Sequence, residues 1–168
     1  GPPGTGKTWL VRAAMNALRD DATCVVVPSH LVSQLEDPSL VLALAKHRND
    51  HNGSIVLIIE DADTVLCNRE DMDTKAMAGL SVLLNLGDGL YGAALDIKVI
   101  ATTNRELSSL DDAVVRVGRL CEHIHIGPLK GQEVISAAAR GLGIETNVSF
   151  YESIKLAELY ALKNGIEK

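Results

Sequence analysis

The chain opens on Gly1-Pro2-Pro3-Gly4-Thr5-Gly6-Lys7-Thr8, and this stretch decides the fold. It has the form G-x-x-x-x-G-K-[ST], which predicts a loop whose backbone N–H groups turn inward around a bound phosphate. An amphipathic run follows and predicts a helix over 6–19, whose N-terminal dipole also favours an anion. We therefore expect Lys7 to reach the β and γ phosphates of a nucleotide and the Thr8 hydroxyl to bind Mg²⁺. A glycine-rich turn without a ligand is the alternative, but it would not need Lys-Thr at this offset.

The position of the motif is unusual, because such a loop joins the end of a buried strand to the start of a helix. No strand precedes Gly1 in this sequence, and there is no initiator Met. We therefore expect the sequence to be a fragment, and the sheet to lack the strand that carries the loop.

Strand and helix patterns alternate along the rest of the chain, which predicts an α/β fold with a parallel sheet between helices. Ser54 to Ile59 is a continuous apolar run, typical of a strand covered on both faces. Gly127-Pro128 is interpreted as a hinge, with helices and no further strand after it. The other predicted strands are 23–27, 97–102 and 123–126, and the other predicted helices are 40–46, 73–86, 132–140 and 151–163.

Composition limits the class of protein. The 168 residues are 46% hydrophobic, as expected for one globular domain with a sizeable core. A formal net charge of −6 argues against a strong non-specific hold on nucleic-acid phosphates. No signal peptide or apolar stretch of about 20 residues is visible. The three cysteines are far apart in sequence, and we interpret them as reduced thiols in a cytoplasmic or equivalent reducing compartment.

A second chemical signal stands where the apolar run ends, at Glu60-Asp61-Ala62-Asp63. Carboxylates there would face the phosphate loop across the strand ends, where α/β folds bind their ligands. One acid is expected to hold Mg²⁺ and the other to orient and polarise an attacking water, as in a Walker B element. An ordinary solvated loop is the alternative, but the phosphate loop at Gly1 favours the functional interpretation.

Two weaker signals follow. The apolar strand that ends at Thr103-Asn104 places an amide where it could donate to a γ-phosphate oxygen or position water. The stretch Leu110-Asp111-Asp112-Ala113-Val114-Val115-Arg116-Val117-Gly118-Arg119 carries two arginines, whose forked donors suit phosphate oxygens. The alternative is a surface helix end in which both arginines pair with Asp111 or Asp112, and composition alone favours it.

Taken in this order, the four motifs resemble an AAA+ ATPase module over Gly1 to about Leu129. The resemblance implies a P-loop NTPase fold, with a nucleotide-binding α/β core over 1–128 and the start of a small helical lid over 129–168. Within that family, Ser54-Ile-Val-Leu-Ile-Ile-Glu-Asp-Ala-Asp63 and Leu83-Leu-Asn-Leu-Gly-Asp-Gly89 are most similar to one group. It contains the Rieske-protein translocase of the mitochondrial inner membrane and its bacterial, archaeal and phage-type relatives.

The resemblance also implies roles for individual residues. ATP would be bound with Mg²⁺ by Gly1, Pro2, Pro3, Gly4, Thr5, Gly6, Lys7, Thr8 and Trp9, with Thr8 and Glu60 on the metal. Asp61 would be the catalytic acid and Asn104 the sensor 1 residue, while Arg116 and Arg119 would enter the neighbouring subunit's site. Because Glu60-Asp61 replaces the commoner Asp-Glu, a swapped assignment or a role for Asp63 stays open.

These roles predict ATP hydrolysis that drives remodelling of a macromolecule in a ring of six subunits. The substrate is expected to be a protein rather than nucleic acid, and no membrane contact is expected within the fragment. The first pore loop should lie between Pro28 and His47, and its lack of an aromatic residue weakens the expectation that it threads a polypeptide. Val32, Leu35 or Leu40 could still grip a polypeptide, but such residues more often belong to a core. The alternative functions are a nucleotide-regulated binding switch with slow hydrolysis and, less favoured, a phosphotransferase.

Overall fold

The computed structural model describes residues 1–51, 53–144, 148 and 151–165. It divides the chain into two compact units, which we call the loop unit, Gly1–Leu10 with Ile124–Lys168, and the sheet unit, Val11–His123. Helix α1 (Lys7–Leu18) begins in the loop unit and continues in the sheet unit. The predicted division of the chain at residue 128 stays a prediction.

The sheet unit is built on parallel strands. Within the described residues, β1 (Ala22–Val26), β2 (Ser54–Ile59) and β3 (Ile97–Ala101) pair in the order β1-β2-β3. Val25 lies opposite Leu57, which lies opposite Val99. A parallel sheet whose strands are joined through helices confirms the predicted α/β fold, and β2 has the predicted bounds.

Both faces of β2 are buried, because successive side chains of a strand point to opposite faces. Leu57 belongs to the larger core, which includes Val82 and Leu86 of helix α3 (Thr74–Asp88). Ile58 belongs to a second cluster that includes Val11 of α1. This two-sided cover accounts for the continuous apolar run, since neither face of the strand meets water.

The other α-helices described in the sheet unit are α2 (Pro38–His51), α4 (Leu90–Leu95) and α5 (Asp112–Val115). The unit also has 3₁₀ helices at Ser29–Glu36, Arg69–Asp71 and Leu107–Ser109. Helix α3 starts one residue later than predicted, because Asp73 caps it by accepting a hydrogen bond from the Ala76 N–H at 2.7 Å. Helix α4 was not predicted. Only six residues long, it is too short to show a clear helical period.

The loop unit has its own small core. Strands β4 (Leu129–Lys130) and β5 (Ser153–Ile154) pair antiparallel, and helices α6 (Gln132–Gly141) and α7 (Leu156–Lys163) pack with them through Ile135, Ile154 and Leu159. Across the described part of the chain, no helix has the length and apolar character needed to cross a membrane.

The structure differs from three predictions in the region from residue 123 onward. The predicted strand at 123–126 is not formed, because these residues have no partner strand and the Ile124 side chain is 63% exposed. The prediction of no strand after Pro128 fails at β4 and β5, each of two residues. The predicted helix over 151–163 begins at Leu156, because Lys155 is in an extended conformation and its N–H donates to the Glu158 carboxylate at 2.8 Å.

The two-sided burial of β2 predicts a large stability effect at its centre. Leu57 is 0% exposed, and Leu57→Ala should lower the free energy of unfolding of the intact protein by about 2–5 kcal/mol, because a cavity remains. Leu42→Ala is the control: that side chain is 71% exposed, and its removal should change stability by less than about 0.5 kcal/mol. Equal midpoints of chemical denaturation for the two variants would contradict the described core.

Candidate functional site

The predicted phosphate loop lies in the loop unit and is held by its own side chains. The Lys7 ammonium donates to the carbonyl oxygens of Gly1 and Pro2, both at 2.9 Å. The buried Thr5 hydroxyl donates to the same Pro2 carbonyl at 2.9 Å. The loop is thus a closed turn with its lysine folded over it, and the Leu10 N–H bonds the Gly6 carbonyl at 3.0 Å as the helix starts.

Two glycines allow this turn. Gly4 has φ of +81° and Gly6 has φ of +102°, a region that side-chain-bearing residues rarely enter. A Cβ on Gly6 would also come within 2.9 Å of a methyl of Leu156 in α7. The Ala157 N–H donates to the Gly4 carbonyl at 3.0 Å, so α7 contacts the loop directly. An uncrowded turn with N–H groups at a helix N-terminus is suited to bind an anion such as phosphate.

Trp9 and Thr8, on the first turn of α1, are exposed. The Trp9 ring stacks on Tyr160 of α7, with centroids 6.4 Å apart and the planes inclined by 5°. The Thr8 hydroxyl stands on the turn that follows the loop, where a metal bound to phosphate could be reached. Sequence reasoning missed Tyr160, since nothing near it in sequence signals contact with the loop.

The predicted acids lie in the sheet unit, where β2 ends. The Asp61 N–H donates to the Thr102 hydroxyl at 3.1 Å, and the Ala62 N–H donates to the Thr102 carbonyl at 2.8 Å. The segments that follow β2 and β3 are therefore joined, and the structure brings Glu60 and Asp61 to the same sheet edge as Asn104. Asp61 is exposed and has a positive φ of 50°, a conformation that Asp tolerates better than most residues.

Glu60 supplies the test of whether a cation fits. Its Oε1 atom is buried and has no hydrogen-bond partner among the described residues. Buried polar atoms are nearly always satisfied, so an orphaned carboxylate oxygen at a strand end suits a missing positive ligand. Mg²⁺ prefers oxygen ligands such as carboxylates, so the Glu60 carboxylate is chemically suited to it. Elsewhere in the described residues, no group of three or more His, Cys, Asp or Glu side chains could hold a metal ion.

Asp63 is fully engaged by the segment after β3. Its Oδ1 accepts from the Thr103 hydroxyl at 2.5 Å and from the Asn104 N–H at 2.7 Å, and its Oδ2 accepts from the Asn104 side-chain amide at 2.9 Å. Burial acts to raise the pKa of Asp63, but the hydrogen bonds from Thr103 and Asn104 together outweigh it and lower the pKa below its ordinary value. Asp63 is therefore an ionised acceptor of three hydrogen bonds.

The two arginines predicted to act on a nucleotide, Arg116 and Arg119, differ in their contacts. Arg119 donates from Nε to Asp88 at 2.8 Å and from a terminal nitrogen to the Ala113 carbonyl at 3.2 Å. Arg116 is exposed, and its guanidinium makes no hydrogen bond or ion pair within the described part of the chain. Neither arginine pairs with Asp111, which instead caps α5 and binds Arg69 at 3.2 Å. Nothing near Arg119 in sequence indicates Asp88 as its partner, because the two residues are 31 positions apart.

The residues considered for polypeptide contact do not form an exposed grip. Val32 is 0% and Leu35 is 6% exposed, and both belong to the core of the sheet unit. Leu40 is half-buried against the same core. The hypothesis that Val32 or Leu35 contacts a substrate is therefore wrong for this conformation, because the 3₁₀ helix at Ser29–Glu36 turns both side chains inward.

Comparison with known proteins identifies the class. Residues 1–128 match the profile of the family described as "ATPase family associated with various cellular activities (AAA)". The chain is 38% identical to an AAA-ATPase of Arabidopsis thaliana over 76% of this chain and 27% of that protein. It is 39% identical to the 26S proteasome regulatory subunit 4 homolog of Schizosaccharomyces pombe over 71% of this chain and 28% of that protein. With the proteasome-activating nucleotidase of Methanocaldococcus jannaschii it shares 34% identity over 94% of this chain and 38% of that protein.

The P-loop NTPase fold and these matches define an α/β nucleotide-binding domain, and the chain belongs to the AAA family of ATPases. The predicted enzyme class, an AAA-type ATP hydrolase, is confirmed at the level of the family. The chain spans well under half the length of these relatives, between 27% and 38%.

Proposed function

We propose that this chain is the ATP-hydrolysing module of a machine that assembles as a ring of six subunits and remodels a protein. The observation that carries the proposal is the edge of β2 and β3. There Glu60 has a buried, unsatisfied carboxylate oxygen, and Asn104 is held by Asp63. A cation site and an oriented amide at the ends of adjacent parallel strands suit the binding of a metal-triphosphate.

The proposed roles follow from the chemistry of each side chain. Lys7 and the N–H groups of the loop bind the phosphates, and Thr8 and Glu60 hold Mg²⁺, which neutralises phosphate charge when it is bound. Asp61 is exposed and accepts the proton of the attacking water. Asp63 is less suited to that role, because both of its oxygens already accept hydrogen bonds. Asn104 senses the γ-phosphate, and Arg116 and Arg119 act on the neighbouring subunit's nucleotide.

The nature of the substrate is also a proposal. A protein is favoured over nucleic acid, because the chain carries a formal net charge of −6, which repels phosphate backbones. Relatives include a proteasome regulatory subunit and a proteasome-activating nucleotidase, which supports a protein substrate. Cys24, Cys67 and Cys121 are free thiols, which supports placement in a cytoplasmic or equivalent reducing compartment.

A narrower placement is proposed within the family. Segments 54–63 and 83–89 support the group that contains the mitochondrial Rieske-protein translocase and its relatives. The first segment is β2 with its acidic end, and the second is the end of α3 with Gly89, the residue between α3 and α4. Determining any sequence that adjoins residues 1–168 tests this placement, because a membrane span, a DNA-binding domain or a protease-docking segment found there would each indicate a different role.

The test of the proposed function is ATP turnover measured against protein concentration. If arginines act between subunits, the rate per subunit should rise with concentration and reach a plateau as rings form. The assembly state measured in parallel should change over the same concentrations. A rate per subunit that stays flat, in a protein that hydrolyses ATP, would remove the ring from the proposal.

A nucleotide-regulated binding switch is the second candidate, favoured by the short side chain of Asp61. Asp is one methylene shorter than Glu, so its carboxylate reaches less far towards a water. Single-turnover hydrolysis of bound ATP separates the two functions. A switch should retain unhydrolysed ATP for long periods, whereas a remodelling enzyme should convert it at the steady-state rate.

The geometry of the loop predicts the effect of Gly6→Ala on nucleotide affinity. Alanine is strained at a φ of +102°, and its Cβ would lie 2.9 Å from a Leu156 methyl, so the N–H groups should turn away from the phosphates. We expect at least about a tenfold loss of ATP affinity in titration calorimetry of the intact protein, equivalent to about 1.4 kcal/mol. Gly87→Ala, in α3 with open space around its Cβ, is the control and should bind ATP normally. Equal affinities for the two variants would contradict the described loop.

A further inference from the structure

We propose that Asp63 is a positioning residue that fixes which atom of the Asn104 side-chain amide is presented to the reaction. The inference rests on the proposed function and adds a residue to it. In this proposal Asp63 neither binds the metal ion nor activates the attacking water. It accepts hydrogen bonds from Thr103 and Asn104, which follow β3.

The hydrogen bonds determine the orientation of the amide. An ionised carboxylate only accepts hydrogen bonds, so the atom of Asn104 that faces Asp63 Oδ2 at 2.9 Å must be the NH₂ nitrogen. The backbone N–H of Asn104 donates to the other carboxylate oxygen at 2.7 Å, so main chain and side chain are held by one group. The amide oxygen is therefore fixed on the opposite branch of the side chain, and the alternative flip is excluded.

Thr103 strengthens this arrangement. Its hydroxyl donates to Asp63 at 2.5 Å and accepts from the Arg105 N–H at 3.0 Å. The residues on both sides of Asn104 are thereby tied to the segment after β2. An amide that is bonded to Asp63 and carried on an anchored segment enters the reaction already oriented, which avoids the cost of ordering it at each turnover.

Asp63→Asn is the informative substitution because it keeps the shape of the side chain and changes one acceptor into a donor. The side-chain oxygen of the new asparagine can take the place of Oδ1 and still accept from Thr103 and from the Asn104 N–H. Its NH₂ group then takes the place of Oδ2 and faces the Asn104 side-chain amide. Two NH₂ groups cannot bond, so the Asn104 amide should flip and present its oxygen where the nitrogen was. A flip of residue 63 instead would leave the partly buried Asn104 N–H facing a donor, which is costly.

The test is a double-mutant cycle on the intact protein with Asp63→Asn, Asn104→Ala and the pair. Each single variant should lower kcat by about 10- to 100-fold while KM and ATP affinity stay within about twofold, since orientation is lost and binding is kept. The double variant should be no slower than Asn104→Ala alone, because Asp63 acts through Asn104. Asp71→Asn removes an exposed carboxylate of the same unit and should leave kcat unchanged.

Three results would overturn the inference. The first is a kcat of the double variant that falls by the product of the two single losses, as an independent catalytic acid would give, and the second is a normal kcat for Asp63→Asn. The third is an ATP affinity of Asp63→Asn that falls together with its thermal stability. Asp63→Glu, which keeps the charge and moves the oxygens, takes the place of Asp63→Asn in the cycle if that protein does not fold.

A second readout does not need turnover. The side-chain amide signal of Asn104 in a ¹⁵N–¹H spectrum should shift in Asp63→Asn and not in Asp71→Asn. If the signal shifts as expected in Asp63→Asn but the wild type does not hydrolyse ATP, the proposed function fails and the positioning contact stands. If the signal is the same in all three proteins, the positioning inference fails whatever the turnover.

Discussion

Arg116→Ala is expected to lower ATP turnover by the intact protein about a thousandfold, with ATP binding unchanged. An arginine that stabilises the transferring phosphoryl group from a neighbouring subunit contributes about 10³- to 10⁵-fold to hydrolysis. Arg116 is suited to this role because it is exposed and its guanidinium has no ion-pair or hydrogen-bond partner among the described residues. Arg119, in contrast, is paired with Asp88 at 2.8 Å within its own unit.

Mixing subunits tests the role between neighbours directly. Arg116→Ala keeps its own phosphate loop, and Lys7→Ala keeps its Arg116, so each variant alone should be inactive. A mixture should regain turnover, because Lys7→Ala subunits can lend Arg116 to the intact loop of an adjacent subunit. Arg19→Ala is the control, since among the described residues that exposed arginine pairs with its neighbour Asp20 alone, at 3.4 Å. A mixture as inactive as its components would place Arg116 in its own subunit's chemistry or outside it.

The features that sequence predicted correctly are those with local causes. The loop at Gly1 needs glycines at positions 4 and 6 for their positive φ, and both glycines can be read directly from the sequence. The apolar run of β2 predicted a strand with two covered faces, and its alternate residues indeed enter two different clusters. Helix α3 was predicted within two residues at each end, because Asp73 is a capping residue directly before an apolar period.

The features that sequence did not predict depend on residues far apart in the chain. The contact of Asp63 with Asn104 joins positions 41 residues apart and exists only because β2 and β3 are adjacent parallel strands. The inward turn of Val32 and Leu35 depends on a 3₁₀ helix, whose side chains follow a different period from that of an α-helix. The two-residue strands β4 and β5 are too short to show alternation, so only their pairing reveals them.

Lys7→Ala is expected to lower the affinity of the intact protein for ATP by about a hundredfold and to abolish measurable hydrolysis. The Lys7 ammonium lies over the loop, donating to the carbonyls of Gly1 and Pro2 at 2.9 Å. A triphosphate offers it anionic oxygens in place of neutral carbonyls, and hydrogen bonds to charged groups contribute about 1.5–3 kcal/mol each. Loss of one such bond at the upper end of that range accounts for the expected factor.

Removal of Lys7 also removes two hydrogen bonds within the loop, so binding and stability must be measured together. Lys75→Ala, at an exposed position of α3, removes the same charge from the chain and should bind ATP as the wild type does. Calorimetric titration gives the affinity, and thermal unfolding without nucleotide gives the structural cost. An ATP affinity for Lys7→Ala equal to that of Lys75→Ala would remove the loop from the nucleotide site. A fall in affinity without a matching fall in stability assigns the Lys7 ammonium to the phosphates, because a lysine that only braced the loop would lose both in proportion.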